Sequence, residues 1–490
     1  MKVVVAIDLG TTGNRAIAFS ADGSAVASSY YEFPQIFPRP GWVEHDPLDI
    51  LKTTMKALRD VLGSIGTAEV VSIGITNQRE TAILWDRRTG KPLYNAIVWQ
   101  CRRTKSICDR LAGYAPVIRA KTGLPLDPYF SATKIMWMIE NVGGVREGIE
   151  RGDILFGTVD SWLLWNLTGG KVHATEPGNA SRTLCYNIRT LDYDDELLGI
   201  FGLPREIFPE VRESGGGFGN TVKELTGREI PVSGILGDQQ ASLFAQGGWQ
   251  EGVVKNTYGT GLFLVTSTGR KVPASGRLLN TIAWMTGGEV CYAMEGSVFV
   301  GGSCIQWLRD GLGIIRSSAE TESLAASLDS NEGVYFVPAL TGLGAPYWDP
   351  AARGMVIGIT RGTRREHLVR AALEAIAYQT RDVIEEMKRA TGMDFRQVRV
   401  DGGASRNDFL MQFQADLLGT DIERPALTET TAFGAAGIAG IASGFWTREA
   451  FFATRKVERV FTPRMDESEA DRCYSQWRKA VERAMNWVED

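Results

Sequence analysis

Apolar runs alternate with helical spacings along the whole chain. Residues 2–8 are apolar and β-branched and lead into a Gly-Thr-Thr turn. Two more short apolar runs follow at 16–20 and 25–30, with Asp22-Gly23 between them as a hairpin signal. The pattern predicts three consecutive strands joined by tight turns. Residues 46–62 then place Leu48, Leu51, Met55, Leu58, Val61 and Leu62 at helical spacing, with Asp46 suited to cap the helix and Pro47 to open it. Short buried-type strands are predicted at 70–75 and 82–85. The second half begins in the same manner, with strands at 253–258 and 262–267 around Gly259-Thr260-Gly261. A long helix at 367–390, a strand at 398–401 and helices at 408–418 and 431–441 follow. The order of elements repeats although the residues do not. Gly215, Gly216, Gly217 and Gly219 predict a flexible surface loop, and Gly247-Gly248 is the expected boundary between domains 1–247 and 248–490.

A chain of 490 residues predicts two or three domains and is long enough to bury sizeable cores without disulfides or a structural metal. Its net charge of −5 lacks the basic footprint of a nucleic-acid binder. The six cysteines, at 101, 108, 185, 291, 304 and 473, form no CxxC pair, so neither a zinc knuckle nor a disulfide framework is indicated. That usage fits a reducing, cytoplasmic setting. His45, His173 and His367 lie far apart without an HExxH motif and are expected to be structural. No charged-then-apolar leader precedes the first strand-like run. The longest uncharged stretch, 430–447, is rich in Gly and Ala and reads as a packed helix, with no membrane span.

Three Gly/Thr-containing turns follow apolar strands: 8–12 (Asp-Leu-Gly-Thr-Thr), 258–261 (Tyr-Gly-Thr-Gly) and 401–404 (Asp-Gly-Gly-Ala). Gly lets backbone N–H groups converge without interference from Cβ, and such nests hold phosphate oxygens. Each turn taken alone reads more readily as an ordinary hairpin, but three in one chain, two of them led by Asp, point to a nucleotide. Asp8 suits Mg²⁺, which takes hard oxygen ligands, and Arg15 lies close enough in sequence to meet a terminal phosphate. The absence of GxxxxGK[ST] excludes a P-loop. The stretch 77–81 (Asn-Gln-Arg-Glu-Thr) follows a strand and reads as a cleft rim or a solvated turn. Asp238, after the apolar run 232–236, reads as a base for a substrate hydroxyl or as a helix cap. Trp99, Tyr129 and Phe263 suit the wall of a polyol site or an ordinary core. Residues 135–138 read as core, and 361–366 as a solvated approach to a helix.

Six stretches carry a resemblance to a known family: 40–47 (Pro-Gly-Trp-Val-Glu-His-Asp-Pro), 75–81, 94–100, 237–241, 255–261 and 341–350. Over essentially its full length the chain resembles the FGGY carbohydrate kinases. The stretch 77–81 brings it nearest to the members that act on glycerol. The resemblance implies an α/β fold of two actin-like, RNase H-like ATPase domains, each a mixed sheet flanked by helices, with the active site in the cleft between them. It implies ATP and Mg²⁺ as cofactors and ATP-dependent phosphorylation of glycerol to sn-glycerol 3-phosphate. Arg79, Glu80, Tyr129, Asp238 and Gln239 would then hold glycerol hydroxyls, with Trp99 and Phe263 on its carbons. Asp238 would be the general base, and Asp8 and Asp238 would lie nearest the metal. Thr11, Thr12, Gly13 and Arg15 match the first phosphate loop, and Thr260, Gly302, Gln306, Gly403 and Asn407 match nucleotide contacts in the second domain. A homodimer or homotetramer is implied as well.

The chain departs from the family pattern in two places. Leu9 stands where Gln is usual, and Gly13-Asn14 where Ser-Ser is usual, so the side-chain hydroxyl expected at position 13 is missing. Near 222–226 the chain lacks the Gly-Gly-Lys-Gly loop with which some relatives bind fructose 1,6-bisphosphate, and no His lies between 173 and 367 to serve as the regulatory phosphoryl acceptor of others. Two other readings compete: a kinase for another polyol or ketose, and a non-catalytic actin-like ATP-binding protein. The polar set Arg79, Glu80, Asp238 and Gln239 argues against the latter, which needs no alcohol site.

Overall fold

The computed structural model describes residues 1–488, which form two compact units. The first comprises Met1–Gly247, Asn280–Ala293 and Glu429–Arg455; the second comprises Gly248–Leu279, Met294–Thr428 and, of the described residues, 456–488. The chain first passes between units at Gly247/Gly248, but a single division there is too simple. It takes no account of the two later segments that return to the first unit.

The first unit is built on a five-stranded mixed sheet. Its order is Val232–Gly237, Glu69–Asn77, β1 (Lys2–Leu9), β2 (Gly13–Phe19) and β3 (Ala25–Glu32). The first three strands are mutually parallel, and β1, β2 and β3 run antiparallel in turn. The period of two in β1 separates its faces. Val3, Val5, Ile7 and Leu9 join a core with Ile50, Leu58 and Val61 of α1 (Pro47–Ser64) and with Trp162 and Leu163. Asp46 caps α1 by accepting from the Leu48 N–H at 2.8 Å, and Pro47 opens it. The opposite face meets the helix Thr430–Ala442, whose Ala435 backbone lies directly against Gly74. That helix is the predicted uncharged stretch, and among the described residues no helix is long and apolar enough to cross a membrane.

β2 begins three residues before its apolar run, because Asn14 and Arg15 pair with Leu9 and Asp8 of β1. The strand predicted near 82–85 stands apart from the main sheet and pairs with Ile154–Gly157. The glycine-rich segment 215–219 is tied down, contrary to the expected flexible loop. Gly216 N–H donates to Ser233 O at 3.0 Å, Phe218 N–H donates to Val232 O at 2.9 Å, and the Phe218 ring is fully buried. Gly219, at φ +90° with Val172 close by, is the position that needs a residue without Cβ; at Gly217 a side chain would meet open space.

The second unit's sheet runs Leu279–Thr286, Glu289–Val298, Leu262–Gly269, Val253–Tyr258, Gln397–Asp401, Asp421–Pro425 and Val457–Phe461. Of the first two strands, the stretch Asn280–Ala293 belongs to the first unit. The five strands from Glu289–Val298 to Asp421–Pro425 repeat the first sheet's order, with Val253–Tyr258 in the place of β1. The element order read from the sequence therefore reflects a repeated topology. The 27-residue helix Arg365–Thr391 supplies much of this unit's core, with Ala372, Ile376, Val383 and Met387 buried.

Candidate active site

Register brings the first unit's chemistry to one sheet edge. Leu9 and Gly237 both align with Asn77. The loop after β1, the stretch Gln78-Arg79-Glu80 and Asp238 therefore leave three parallel strands at the same carboxyl end, where open α/β sheets bind ligands.

Arg79 is the hub of this edge. Its guanidinium lies 3.3 Å from an Asp238 carboxylate oxygen and 3.7 Å from one of Glu80. It also donates to Gln240 Oε1 at 3.3 Å and to Tyr129 Oη at 3.4 Å. Arg79 and Glu80 side chains are only 2% exposed, whereas the Asp238 side chain is 31% exposed. The arrangement holds a buried cation and a buried anion in fixed positions and leaves one carboxylate open to a ligand. Asp238 is the first residue of the helix Asp238–Ala245 and does not cap it; Gly237 is the capping residue. One Asp238 oxygen instead accepts from the Gln239 N–H at 2.7 Å. The Arg79 stem passes where a Cβ on Gly237 would stand. Gln239 is nearly buried. Trp99, half-buried, meets the Tyr129 ring edge-on with centroids 5.8 Å apart.

Sequence reasoning missed the groups that brace this cluster. Arg182, fully buried, donates from Nε to Glu80 Oε1 at 2.6 Å and lies over the rings of Tyr129 and Phe130. Lys134 Nζ, also buried, donates to the backbone carbonyls of Glu80 at 3.1 Å and Phe130 at 3.3 Å. Desolvation pushes its ammonium down to about 7, while the nearby Glu80 carboxylate acts in the opposite direction. A Lys inside the helix Ser131–Asn141 carries no local signal of burial; its role depends on where that helix docks.

The first loop is braced from behind. Gln35 Nε2 donates to Thr11 O at 3.0 Å, and Gln78 Nε2 donates to Gly10 O at 3.1 Å. His45 links the two amides, with Nε2 2.8 Å from Gln35 Oε1 and Nδ1 3.4 Å from Gln78 Nε2. With Nε2–H donating and Nδ1 accepting, the ring is neutral, and burial pushes its pKa down to about 4. The Trp99 indole donates to Thr11 Oγ1 at 3.0 Å, so the loop and the aromatic wall share a bond. Thr12 is exposed and Gly13 is buried. Arg15 pairs with Glu429 at 2.9 Å. Burial raises the Asp8 carboxyl to about 7; Arg15 opposes the rise, and the Asp238 and Glu429 carboxylates add to it. Carboxylate oxygens suit a hard divalent cation. Among the described residues, no group of three or more His, Cys, Asp or Glu is arranged to hold a metal alone. Mg²⁺ needs no such cage, since it keeps waters and phosphate oxygens as ligands.

In the second unit three turns meet. Gly302 N–H donates to Gly259 O at 2.8 Å, and Gly301 N–H to Thr260 O at 2.8 Å. Gly402, at φ +84°, lies against the Tyr258 backbone so closely that a Cβ would strike it. Thr260, Gln306 and Gly403 are exposed around this junction. Asn407 caps the helix Asp408–Leu418 by accepting from Leu410 N–H at 2.9 Å, and its amide donates to Thr321 at 3.1 Å. Its side chain is thus committed to structure on both sides. Phe263, half-buried on Leu262–Gly269, is the one alcohol-wall candidate that lies in the second unit.

Two sheets of one order, each ending in Gly/Thr turns, match known sequence models. Residues 3–245 match the N-terminal domain of the FGGY family of carbohydrate kinases, and residues 254–443 match its C-terminal domain. The chain belongs to the FGGY family of carbohydrate kinases. Within that family its full-length likeness is to glycerol kinases. It is 60% identical to the glycerol kinase of Aquifex aeolicus over 489 residues, covering 99% of both chains. It is 54% identical to glycerol kinase 2 of Thermotoga maritima, again over 99% of both. The crystal structure of Plasmodium falciparum glycerol kinase with ADP superposes with a TM-score of 0.94 at 35% identity, over 100% of this chain and 99% of that one.

Proposed function

We propose that this kinase transfers the γ-phosphoryl group of ATP to a terminal hydroxyl of glycerol, giving sn-glycerol 3-phosphate. The carrying observation is the buried Arg79–Glu80 pair beside the partly open Asp238 carboxylate, in a chain so like glycerol kinases along its length. In this reading Arg79, Glu80, Tyr129 and Gln239 hold the hydroxyls. Trp99 and Phe263 pack on the carbon skeleton. Asp238 accepts the hydroxyl proton as the alcohol oxygen forms its bond to the γ-phosphorus, and the bond from that phosphorus to the β-phosphate oxygen breaks to release ADP. Arg15 and the N–H groups of the first loop, with Thr11, Thr12 and Gly13, stabilise charge on the transferring group. The turns bearing Thr260, Gly302, Gln306, Gly403 and Asn407 carry the nucleotide, Asn407 by holding its helix terminus in place. Asp8 and Asp238 are the residues that would hold Mg²⁺, which when bound offsets phosphate charge. The free cysteines support a reducing, cytoplasmic setting, and the family resemblance supports a homodimer or homotetramer.

A coupled ADP-release assay over glycerol, dihydroxyacetone, xylulose and erythritol tests the reading. The highest kcat/KM is expected for glycerol. A maximum for another alcohol would reassign the substrate, and ADP release indifferent to every alcohol would favour a non-catalytic nucleotide binder.

A further inference from the structure

We propose that the Tyr30 hydroxyl is a phosphate-binding group of the first loop, supplied from β3 at the place that Gly13 leaves open. The inference rests on the kinase reading above, and it names a contact that the loop's own residues do not provide.

Strand register puts Tyr30 on the right face. Arg15 pairs with Asp8 across β1 and β2, and with Tyr30 across β2 and β3. Gly13, two residues from Arg15, points the same way. Asp8, Gly13, Arg15 and Tyr30 therefore share one sheet face, the face on which Arg15 pairs with Glu429 at 2.9 Å. A Cβ on Gly13 would stand 2.5 Å from Tyr30 Oη and 2.7 Å from its ring carbon Cζ. The phenol oxygen thus occupies the space of a side chain at position 13, which is where a hydroxyl is missing from the loop.

The oxygen is also available. Among the described residues the Tyr30 hydroxyl makes no hydrogen bond, and the side chain is 41% exposed. The adjacent Tyr31 shows the contrast. It points to the other face, where its hydroxyl donates to Asp60 at 2.5 Å and Lys56 covers its ring. The Arg15 guanidinium lies 5.2 Å from the Tyr30 ring centroid. An O–H donor beside a guanidinium, at the edge of a glycine turn, is suited to an anionic oxygen. On this face the anion is a β- or γ-phosphoryl oxygen of a nucleoside triphosphate. Gly13 and Tyr30 are thus complementary, since any larger residue at 13 would displace the phenol.

Tyr30→Phe removes the oxygen and keeps the ring under Arg15. Its affinity for MgATP, measured by calorimetry with a non-hydrolysable analogue, is expected to fall about tenfold, the weight of one hydrogen bond to a charged group. kcat/KM for MgATP is expected to fall in step, while KM for glycerol stays within about twofold. Tyr31→Phe, the same deletion on the opposite face, is expected to leave nucleotide affinity unchanged. Equal nucleotide affinity in wild type and Tyr30→Phe, or equal losses in the two variants, would overturn the proposal. The calorimetric readout needs no turnover. An inactive wild type would therefore count against the kinase reading alone, and an unaffected Tyr30→Phe against this inference alone.

Discussion

Asp238 sits where a base must be half free. Its Oδ1 is held by Arg79 and by the Gln239 N–H, yet 31% of the side chain is open. Asp238→Asn keeps the shape and loses the proton acceptor. It should lower kcat by about 10²–10⁴-fold, the usual weight of a positioned base, with glycerol binding by calorimetry retained. Near-normal turnover would reject the assignment. Arg182 bears on binding. Arg182→Lys keeps the charge but loses the planar fork that meets Glu80 at 2.6 Å while lying over Tyr129. KM for glycerol should rise about tenfold, one lost charge-assisted hydrogen bond, with KM for ATP little changed in the same steady-state assays. The histidines give a pH prediction. Burial lowers both His45 and His173 to about 4, from an ordinary value near 6.5. Between those values the unfolded chain binds protons that the native chain does not, so stability falls as pH drops through that window. Each ring contributes about 1.4 kcal/mol per pH unit there. His173→Gln, which still reaches Phe156 O, should make the thermal midpoint fall less between pH 6.5 and 5. An unchanged slope would contradict the assignment. At this scale the sequence showed the polar residues at strand ends, because Arg, Glu and Asp after apolar runs stand out. It did not show Arg182, Lys134 or His45, whose partners are 102, 54 and 33 residues away. Taking the histidines as merely structural also missed that His45 steadies the first loop.

The helix Thr430–Ala442 shows how an element can be readable in outline and hidden in purpose. Its Gly and Ala content marked it as packed, and its observed bounds differ from the expected ones by one residue at each end. The reason for the small residues lies in the docking. A Cβ on Gly434 would overlap the Ala241 carbonyl, and one on Gly74 would overlap that of Ala435. The close approach sets Glu429, just before the helix, against Arg15 at 2.9 Å. Gly434→Ala should therefore cost about 1–3 kcal/mol by overpacking and lower the thermal midpoint; an unchanged midpoint would show that the contact can relax. The segment 215–219 is the opposite case. Four glycines looked like slack, but hydrogen bonds to Val232 and Ser233 make them a strand edge. Composition registers the lack of side chains and not the backbone partners of the segment.

Across the whole molecule, the repeated order of elements was legible because turn residues and apolar runs recur in both halves. The return of Asn280–Ala293 and Glu429–Arg455 to the first unit was not, since nothing local marks which unit a helix or hairpin will join. Regulation belongs to this scale too. The segment near Lys223–Thr226 is a short helix without the Gly-Gly-Lys-Gly loop. Activity should therefore be unchanged by fructose 1,6-bisphosphate, and strong inhibition would refute this. The central claim is that this chain is an alcohol kinase. Its most direct test is the yield of ADP and of phosphorylated product, measured together with and without glycerol. The account predicts one glycerol phosphate per ADP, and almost no ADP when the alcohol is left out. ADP and free phosphate appearing at one rate in both mixtures would contradict it.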